Sequence, residues 1–155
     1  MAVYSFKSVG LTPSESLASQ TEAAPIPIGI KTPLQIGGSD GLLMMNYDLA
    51  AVAADNLLNL IQTNWGERLG HYRFGANLKP LTVNFSSQDG FDAEAMTRIK
   101  QAVSTWMPYV ELEDFSSEVD RLENQNTGII RVNVGYSVPV LNATGKKIQA
   151  VLYVI

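Results

Sequence analysis

Hydrophobic residues recur at helical spacing in the stretch that precedes Thr63. The apolar positions fit one face of an amphipathic helix, and they are Tyr47, Ala50, Ala54, Leu57, Leu58 and Ile61. Asn46 and Asp48 are both suitable N-caps, because a short polar side chain can accept a hydrogen bond from the first free amides of a helix. The pattern predicts a first helix that starts at one of these two residues and runs to about Thr63.

A second helical pattern ends at Pro108, which cannot continue a helix. Asp92 is the N-cap candidate, since Phe91 before it and Met96 at the fourth helical position form the pattern of a hydrophobic staple. One face carries the predicted core stripe, which consists of Met96, Ile99, Val103 and Trp106. We therefore expect a second helix from Asp92 to the residue before Pro108.

Strand patterns fill the chain after Pro108. Residues 109–115 form the first predicted strand, with a bulge or bend at Phe115, where the alternation breaks. Residues 128–138 alternate strictly, and residues 147–155 become apolar on both faces towards their end. Turn-forming residues at 124–127 and 142–145 suit hairpin connections. The predicted class is α+β, with two main helices on one face of a small antiparallel sheet.

Residues 1–40 differ from the rest of the chain, since they hold four of the seven prolines together with many serines and glycines. We interpret them as an extended N-terminal arm, followed by one domain at 41–155. Ile26, Ile28 and Ile30 alternate between prolines, which favours extended backbone. We expect residues 25–37 to be ordered against the domain or another protein, because so many exposed isoleucines are unfavourable in water. For residues 10–24, a loose tail and a segment ordered on assembly both remain open.

Composition excludes several classes of function. The chain has 155 residues, 46% of them hydrophobic and 17% charged, and a net charge of -4. It lacks the basic runs that non-specific nucleic-acid binding needs, so no nucleic-acid partner is expected. Cysteine is absent, which removes disulfides, thiolate metal sites and cysteine nucleophiles. No apolar run approaches the length of a membrane span and no signal-peptide pattern is present, so we expect no membrane association.

The loop after the first helix concentrates large side chains among three glycines. Its chemistry-bearing residues are Trp65, Glu67, Arg68, His71, Tyr72, Arg73 and Phe74, and its glycines are Gly66, Gly70 and Gly75. We expect an ordered loop clamped on the helix before it. Arg68 should bind loop carbonyls while its plane stacks on Trp65 or Phe74.

Candidate catalytic groups are weak in this sequence. His71 is the single histidine, so neither a usual zinc site nor a catalytic triad is indicated, and we assign it to loop packing. Glu67 has aromatic neighbours, but Arg68 and Arg73 nearby should keep it ionised. A general acid needs a raised pKa instead. No catalytic, cofactor-binding or metal-binding residue is therefore assigned.

The motif Thr63-x-x-Gly66-Glu67-Arg68, followed by Phe74-Gly75 and Leu78, resembles the signature of a phage baseplate wedge family. Its members are the small sheath initiators of contractile tails and their type VI secretion counterparts, and some carry the label lysozyme. The family order of helix, loop, short helical piece, second helix and antiparallel strands can be followed from about residue 46 to 155. In that order, Leu42–Met45 should pack under the first helix.

The resemblance implies a structural role in the virion, at the tail baseplate, after assembly in the host cytoplasm. The protein would join the wedge core to the first sheath ring and start sheath assembly by strand addition. The implied partners are the tail sheath protein, baseplate wedge core proteins and tube-proximal hub proteins. Three alternatives stay open: a type VI secretion baseplate component, a muramidase, and a regulatory module like the bacterial anti-adaptor that resembles this family.

Two sets of residues follow from the resemblance. The loop clamp and wedge-partner contact comprises Thr63, Trp65, Gly66, Glu67, Arg68, Phe74, Gly75, Met107, Pro108 and Tyr109. The sheath contact comprises Ala150, Val151, Leu152, Tyr153, Val154 and Ile155.

The chain departs from the family pattern at two places. Tyr72 and Arg73 stand where the family has proline and aspartate, and the family's Glu-Pro-Arg motif is Met107-Pro108-Tyr109 here. An apolar contact through Met107 and Tyr109 should then replace the polar one. For the last strand, the plainer alternative is that the helices cover one face and the N-terminal arm covers the other.

Overall fold

The computed structural model describes residues 26–37, 42–83, 87–121 and 128–154 of the chain. Within these ranges the elements follow one another as β1 (Gly29–Ile30), β2 (Met45–Asn46), α1 (Leu49–Gln62), α2 (Lys79–Val83), α3 (Gln88–Trp106), β3 (Glu111–Arg121), β4 (Gly128–Val138), a 3₁₀ turn (Pro139–Leu141) and β5 (Ala143–Val154).

The main sheet is antiparallel, with the strand order β3-β4-β5. Helix α1 packs mainly on β5 and α3 packs on β3, while the short α2 lies against both β5 and α3. Alternate residues of the central strand face the helices and are buried, namely Ile130, Val132, Val134, Tyr136 and Val138. This arrangement confirms the predicted α+β fold, with both main helices on one face of the sheet.

Helix α1 follows its sequence pattern closely. Asp48 is the N-cap, and its carboxylate accepts a hydrogen bond of 3.2 Å from the Ala50 amide. The buried face consists of Ala53, Leu57, Leu60 and Ile61. Asn46, the other cap candidate, lies in β2 instead. The predicted helix and its end near Thr63 are therefore confirmed.

The start predicted for the second helix is wrong. Helix α3 begins at Gln88, and Ser87 caps it by accepting a hydrogen bond of 3.3 Å from the Gly90 amide. Asp92 lies inside the helix, where its carboxylate accepts from the Ser117 hydroxyl. The buried face of α3 consists of Phe91, Ala95, Ile99, Ala102 and Val103.

Two members of the predicted core stripe on α3 lie outside its centre. Met96 is 36% exposed, so its assignment to the core is wrong. Trp106 is partly buried and packs at the margin of the core. The helix ends at this residue, two positions before Pro108, as that proline predicts.

The strands are longer than the sequence patterns indicated. Strand β3 continues to Arg121, and its register shifts between Leu112 and Phe115, which confirms the expected bulge. The third strand starts at Ala143 rather than 147, after a turn in which Asn142 adopts a left-handed conformation with φ of 51°. The predicted loop at 124–127, and Ile155, lie outside the described residues.

The face of the sheet turned away from the helices is joined by polar pairs across the strands. Arg131 forms an ion pair with Asp120, and the Gln149 amide donates to Asn133 at 3.0 Å. At the bulge, Asp114 reaches Lys147 at 3.3 Å by passing over Gly135. A Cβ at residue 135 would stand 1.4 Å from a carboxylate oxygen of Asp114, so that carboxylate occupies the place of a side chain.

The strands β1 and β2 form a separate antiparallel hairpin in front of α1. Asp55 of α1 anchors both strands, because one carboxylate oxygen accepts from the Thr32 amide at 3.0 Å and from the Asn46 side chain at 2.6 Å. Gly29 permits close packing, since a Cβ there would lie 3.1 Å from Val52. The hairpin is thus attached to α1 by the hydrogen bonds of Asp55 and by close packing of Gly29 on Val52.

The apolar side chains of this hairpin are mostly exposed. The exposed set is Ile26, Ile28, Ile30, Leu34, Ile36, Leu42 and Met44. Leu43 and Met45 are partly buried. The expectation that all of Leu42–Met45 pack under the first helix is therefore wrong, because alternation along an extended strand turns Leu42 and Met44 outward. The division into an arm at 1–40 and a domain at 41–155 stays a prediction.

We predict that Asp55→Ala releases the hairpin from α1. The substitution leaves a backbone amide and a side-chain amide without their acceptor, which costs about 1–3 kcal/mol. Amide hydrogen exchange should then accelerate at Ile28, Lys31 and Met44, whose N–H groups bond across the hairpin. The neighbouring exposed residue offers a matched control, Asn56→Ala. Equal exchange in both variants would contradict the anchoring role.

Candidate functional site: the loop from Thr63 to Leu78

The loop closes back on the end of α1. Thr63 caps the helix, with its amide and hydroxyl donating to the Asn59 carbonyl at 3.1 and 2.6 Å. Where the loop returns, the Ala76 amide donates to the Leu60 carbonyl at 3.0 Å and the Asn77 amide donates to the Thr63 carbonyl at 3.3 Å. These bonds satisfy carbonyls that a helix end leaves open. They confirm that the loop is ordered and held on the preceding helix.

Gly75 is the point of closest approach in this loop. Its φ is +107°, a conformation that strains any residue with a side chain. A Cβ at this position would stand 2.1 Å from the Thr63 carbonyl oxygen. The helix end and the returning loop therefore fit together only around a glycine.

Asn64 organises the polar interior of the loop. Its side-chain oxygen accepts from the Lys79 amide at 3.0 Å, at the start of α2. Its own amide and its side-chain NH₂ donate to the two carboxylate oxygens of Glu67 at 2.7 and 2.9 Å. One asparagine thus links the turn at Glu67 to the next helix.

The environment of Glu67 favours its ionised form. The hydrogen bonds from the Asn64 amide and side chain lower the pKa of Glu67 below its ordinary value, and Lys79 adds a smaller effect in the same direction. Its slight desolvation opposes them only in part. Glu67 is held ionised as expected, but by Asn64 rather than by the neighbouring arginines. A general acid would need the opposite shift.

Aromatic rings connect the loop to the end of α3. Phe74 and His71 both meet the Trp106 ring edge-on, with ring centroids 5.2 and 5.5 Å apart. The Trp65 indole N–H donates to the Gly75 carbonyl at 3.1 Å, which fixes the orientation of that ring. His71 therefore has the packing role expected for it.

Arg68 has half of its expected role. Its guanidinium lies 4.0 Å above the centre of the Phe74 ring, as predicted. In the described part of the chain, however, no hydrogen bond joins it to a loop carbonyl. Arg98 of α3 makes that bond instead, donating to the Asn77 carbonyl at 2.7 Å while it pairs with Glu94 at 3.0 Å. The i, i+4 spacing of Glu94 and Arg98 was the sequence signal that could have shown an oriented arginine.

The outer side of the loop carries three exposed large side chains, of which only Leu69 was not expected from the sequence. Leu69 is fully exposed, Tyr72 is mostly exposed, and Trp65 is 47% exposed. Tyr72 packs over Gly66, where a Cβ would stand 3.3 Å from its ring. We call Trp65, Leu69 and Tyr72 the loop tip. An ordered loop with an apolar tip is typical of a contact surface.

The segment in place of the family's Glu-Pro-Arg motif is divided between core and surface. Met107 is only 5% exposed and belongs to the core, so its side chain is not presented to a partner. Pro108 and Tyr109 are exposed. Any partner contact at this position depends on these two residues.

The expected sheath-contact residues form the edge strand of the sheet. Strand β5 pairs with β4 on one side, and no described strand pairs with its other side. Ala150 is buried, Val151 and Leu152 are partly buried, and Tyr153 is exposed. The described part of the N-terminal arm forms its own hairpin near α1 and is not paired with β5. Side-chain burial at Val154 and the structure of Ile155 fall outside the description.

The described ranges of the chain lack two further kinds of site. They contain no group of three or more histidine, cysteine or acidic residues that could hold a metal ion. Among the same residues, no helix combines the length and apolar character needed to cross a membrane.

Solved structures share this fold at low sequence identity. One is a chain of the anti-feeding prophage baseplate, determined by cryo-electron microscopy, with 17% identity, a TM-score of 0.56, and coverage of 70% of this chain and 82% of that one. Another is a protein from Geobacter sulfurreducens named a putative tail lysozyme, with 18% identity, a TM-score of 0.59, and coverage of 72% and 96%. No family model matches the sequence, and no curated protein is similar to it. The expected fold resemblance is confirmed.

We predict that Gly75→Ala destabilises the protein far more than Gly70→Ala. The first variant combines positive φ with a clash against the Thr63 carbonyl, which costs about 3 kcal/mol. The second has φ of +81° but no atom within 4 Å of the added Cβ, so only backbone strain of about 1–2 kcal/mol applies. Urea unfolding of both variants measures the difference. Equal losses would show that the loop does not close tightly on α1.

A second prediction concerns the titration of Glu67. In a carboxyl NMR titration, its midpoint should lie below that of a glutamate in an unstructured peptide. Asn64→Ala removes the side-chain donor and keeps the backbone donor, so the midpoint should rise part of the way back. Because the pKa of Glu67 is lower in the folded than in the unfolded protein, the ionised carboxylate stabilises the fold at pH values above the unfolded-state pKa. This stabilisation is lost as the pH falls through the folded-state pKa. Glu67→Gln should reduce the dependence of protein stability on pH in this acidic range. A Glu67 midpoint equal to that of an unstructured peptide would contradict the hydrogen-bond network around it.

Proposed function

We propose that this protein is a structural component of a contractile-tail baseplate that joins the wedge core to the first sheath ring and starts sheath assembly. The observation that carries the proposal is the outer edge of β5, which no described strand pairs with, in a fold shared with a baseplate protein. An unpaired strand edge presents a row of N–H and C=O groups that another chain can bind. Sheath subunits would extend the sheet by strand addition at this edge.

The two edges of the sheet differ in a way that supports β5 as the pairing edge. The β3 edge carries five carboxylates, those of Glu111, Glu113, Asp114, Glu118 and Asp120. Charged residues along an edge are a common protection against unwanted pairing. From Ile148 onwards, β5 carries no charge. Asp114 and Asp120 are paired with Lys147 and Arg131, so an incoming strand would still meet three carboxylates at the β3 edge but no charge along the end of β5.

A cleft next to the β5 edge could set the register of an added strand. It has a volume of about 280 Å³ and lies between α2 and the end of β5, with Lys79 and Thr82 on one wall and Leu152 and Tyr153 on the other. Backbone pairing supplies affinity, while a pocket for alternate side chains supplies specificity. A single side chain from the partner strand would fit this cleft.

The loop tip and the exposed Pro108 and Tyr109 are the candidates for contact with wedge core proteins. They lie on segments joined by the Trp106 packing, so the aromatic cluster would hold both in a fixed relation. Wedge and sheath contacts would then fall on different parts of one rigid domain. This arrangement serves equally in a phage tail or a type VI secretion baseplate.

The name of the Geobacter protein raises hydrolase activity as a second candidate, with Glu67 as the residue to examine. Hydrolysis of a glycoside needs one carboxyl kept protonated by its surroundings and a second carboxyl facing it. The lowered pKa of Glu67 works against the first requirement. We therefore propose a non-enzymatic role. Cell-wall hydrolysis that is present in the purified protein and lost in Glu67→Gln would reverse this conclusion.

Strand addition predicts an alternating effect of proline at Val151 and Leu152. Neighbouring residues in an antiparallel strand point their N–H groups to opposite sides, so one of these two faces β4 and the other faces the free edge. Proline at the outward position keeps the β4 ladder intact and removes a donor from the edge. That variant should stay folded by circular dichroism and form wedges, but should not nucleate sheath in an assembly assay with its sheath protein.

The matched control places proline in the acidic edge, at Ser116 and at Ser117 in turn. The folded member of that pair should nucleate sheath normally, because its edge is not used. If the folded β5 variant also nucleates full-length sheath, strand addition at β5 is wrong. If both folded variants fail, the defect is not specific to the β5 edge, and the proposal is equally contradicted.

A further inference from the structure

A groove runs between the loop and the exposed side of α3. It has a volume of about 500 Å³, and it shares no residue with the β5 edge or with its neighbouring cleft. The loop contributes Trp65, Arg73 and Gly75–Asn77, and the helix contributes polar residues and Trp106. Its lining combines aromatic rings, cations and hydrogen-bonding groups.

The aromatic walls of the groove are held in place before any ligand arrives. Trp65 is fixed by its hydrogen bond to the Gly75 carbonyl, and Trp106 is held by Phe74 and His71. Rings that are already oriented lose little conformational freedom on binding. Grooves lined by fixed aromatic rings are typical binding sites for extended, proline-containing peptides.

The groove also holds a cation that is not used elsewhere. Arg98 is committed to Glu94 and to the Asn77 carbonyl, and its pairing neutralises the carboxylate of the groove. Arg73 is exposed, and nothing within the described residues forms an ion pair or hydrogen bond with it. A free guanidinium is suited to bidentate binding of a carboxylate. The charge of the groove therefore favours an acidic ligand.

The helix side adds a row of hydrogen-bonding groups at one-turn spacing. The Thr97 and Thr105 hydroxyls donate to carbonyls of their own helix at 2.9 Å, so their oxygens remain able to accept. Gln101 lies between them and is exposed, with both a donor and an acceptor. Such a row can match the alternating amide and carbonyl groups of an extended backbone.

We infer that this groove binds an extended acidic segment of another baseplate protein, with an apolar residue or proline between the two tryptophans and a carboxylate on Arg73. The identification of the partner as a baseplate protein rests on the proposed function, whereas the peptide chemistry rests on the groove alone. The cations favour an acidic peptide over an uncharged glycan, which also stacks on aromatic rings.

Both tryptophans of the chain line the groove, so intrinsic fluorescence reports on it directly. The probe is a synthetic nine-residue peptide of three Glu-Leu-Pro repeats, titrated into the full-length protein. The comparison ligands are a Lys-Leu-Pro peptide of equal length and a chitin tetrasaccharide. We expect saturable change of emission with the acidic peptide at a Kd below about 1 mM, weakening with salt, and none with the other two.

Three variants test the contact. Arg73→Ala should weaken binding of the acidic peptide by about tenfold, as expected for loss of a charge-assisted pair. Thr97→Tyr should weaken it by placing an aromatic ring inside the groove. Lys100→Ala removes an equal charge from a residue that does not line the groove, and it should change the Kd by less than about twofold. Circular dichroism confirms the fold of each variant.

The inference is overturned by absence of saturable binding, by equal binding of the lysine peptide, by binding of the tetrasaccharide instead, or by equal effects of Arg73→Ala and Lys100→Ala. It is separable from the proposed sheath mechanism. If a β5 proline variant still nucleates sheath and still binds the peptide, the groove inference is supported and strand addition is wrong. If proline in β5 prevents sheath nucleation but the peptide does not bind, strand addition is supported and the groove inference is wrong.

Discussion

The contact between the Thr63 carbonyl and Gly75 is the constraint on which the candidate surfaces depend. Because the chain passes within van der Waals distance of the helix end there, the loop leaves and returns at one point. Trp65 binds the carbonyl of Gly75, and Ala76 and Asn77 bond back to α1 immediately after it. The exposed loop tip and the groove beside it are therefore held by backbone contacts of the loop base. A loop of this composition without that closure would have to order its aromatic side chains at the moment of binding, which lowers affinity.

The sequence predicted those features that depend on local periodicity or on a single residue type. The length of α1, its Asp48 cap, the strict alternation of β4 and the bulge before Phe115 were all visible as patterns. The start of α3 was not, because Ser87 and Asp92 lie five residues apart and both residue types are suited to capping. Met96 fits the helical spacing of Ile99 and Val103 but lies at the exposed margin of their face.

The candidate site was predicted in outline and missed in its polar details. Thr63 to Gly75 was identified as an ordered loop, and Arg68 does stack on Phe74. The residues that bind carbonyls and carboxylate in the structure are Asn64 and Arg98. Arg98 lies more than twenty residues further along the chain, and only tertiary packing brings it to Asn77. Asn64 could have been noticed, since an asparagine directly after a helix end commonly bonds to nearby backbone. The burial of Met107 likewise depends on packing that the motif Met-Pro-Tyr does not reveal.

The small contact between Asp114 and Gly135 bears on how this protein changes over generations. The carboxylate of Asp114 fills the volume that any side chain at 135 would occupy, and it reaches Lys147 on the far strand through that space. A larger residue at 135 would displace the Asp114 carboxylate, which lies at the end of an exposed side chain and can move aside, at the expense of its ion pair with Lys147. In a lineage of such proteins, loss of the glycine at 135 would therefore weaken the reason to keep an acid at 114 and a lysine at 147. These three positions would be expected to change together rather than independently.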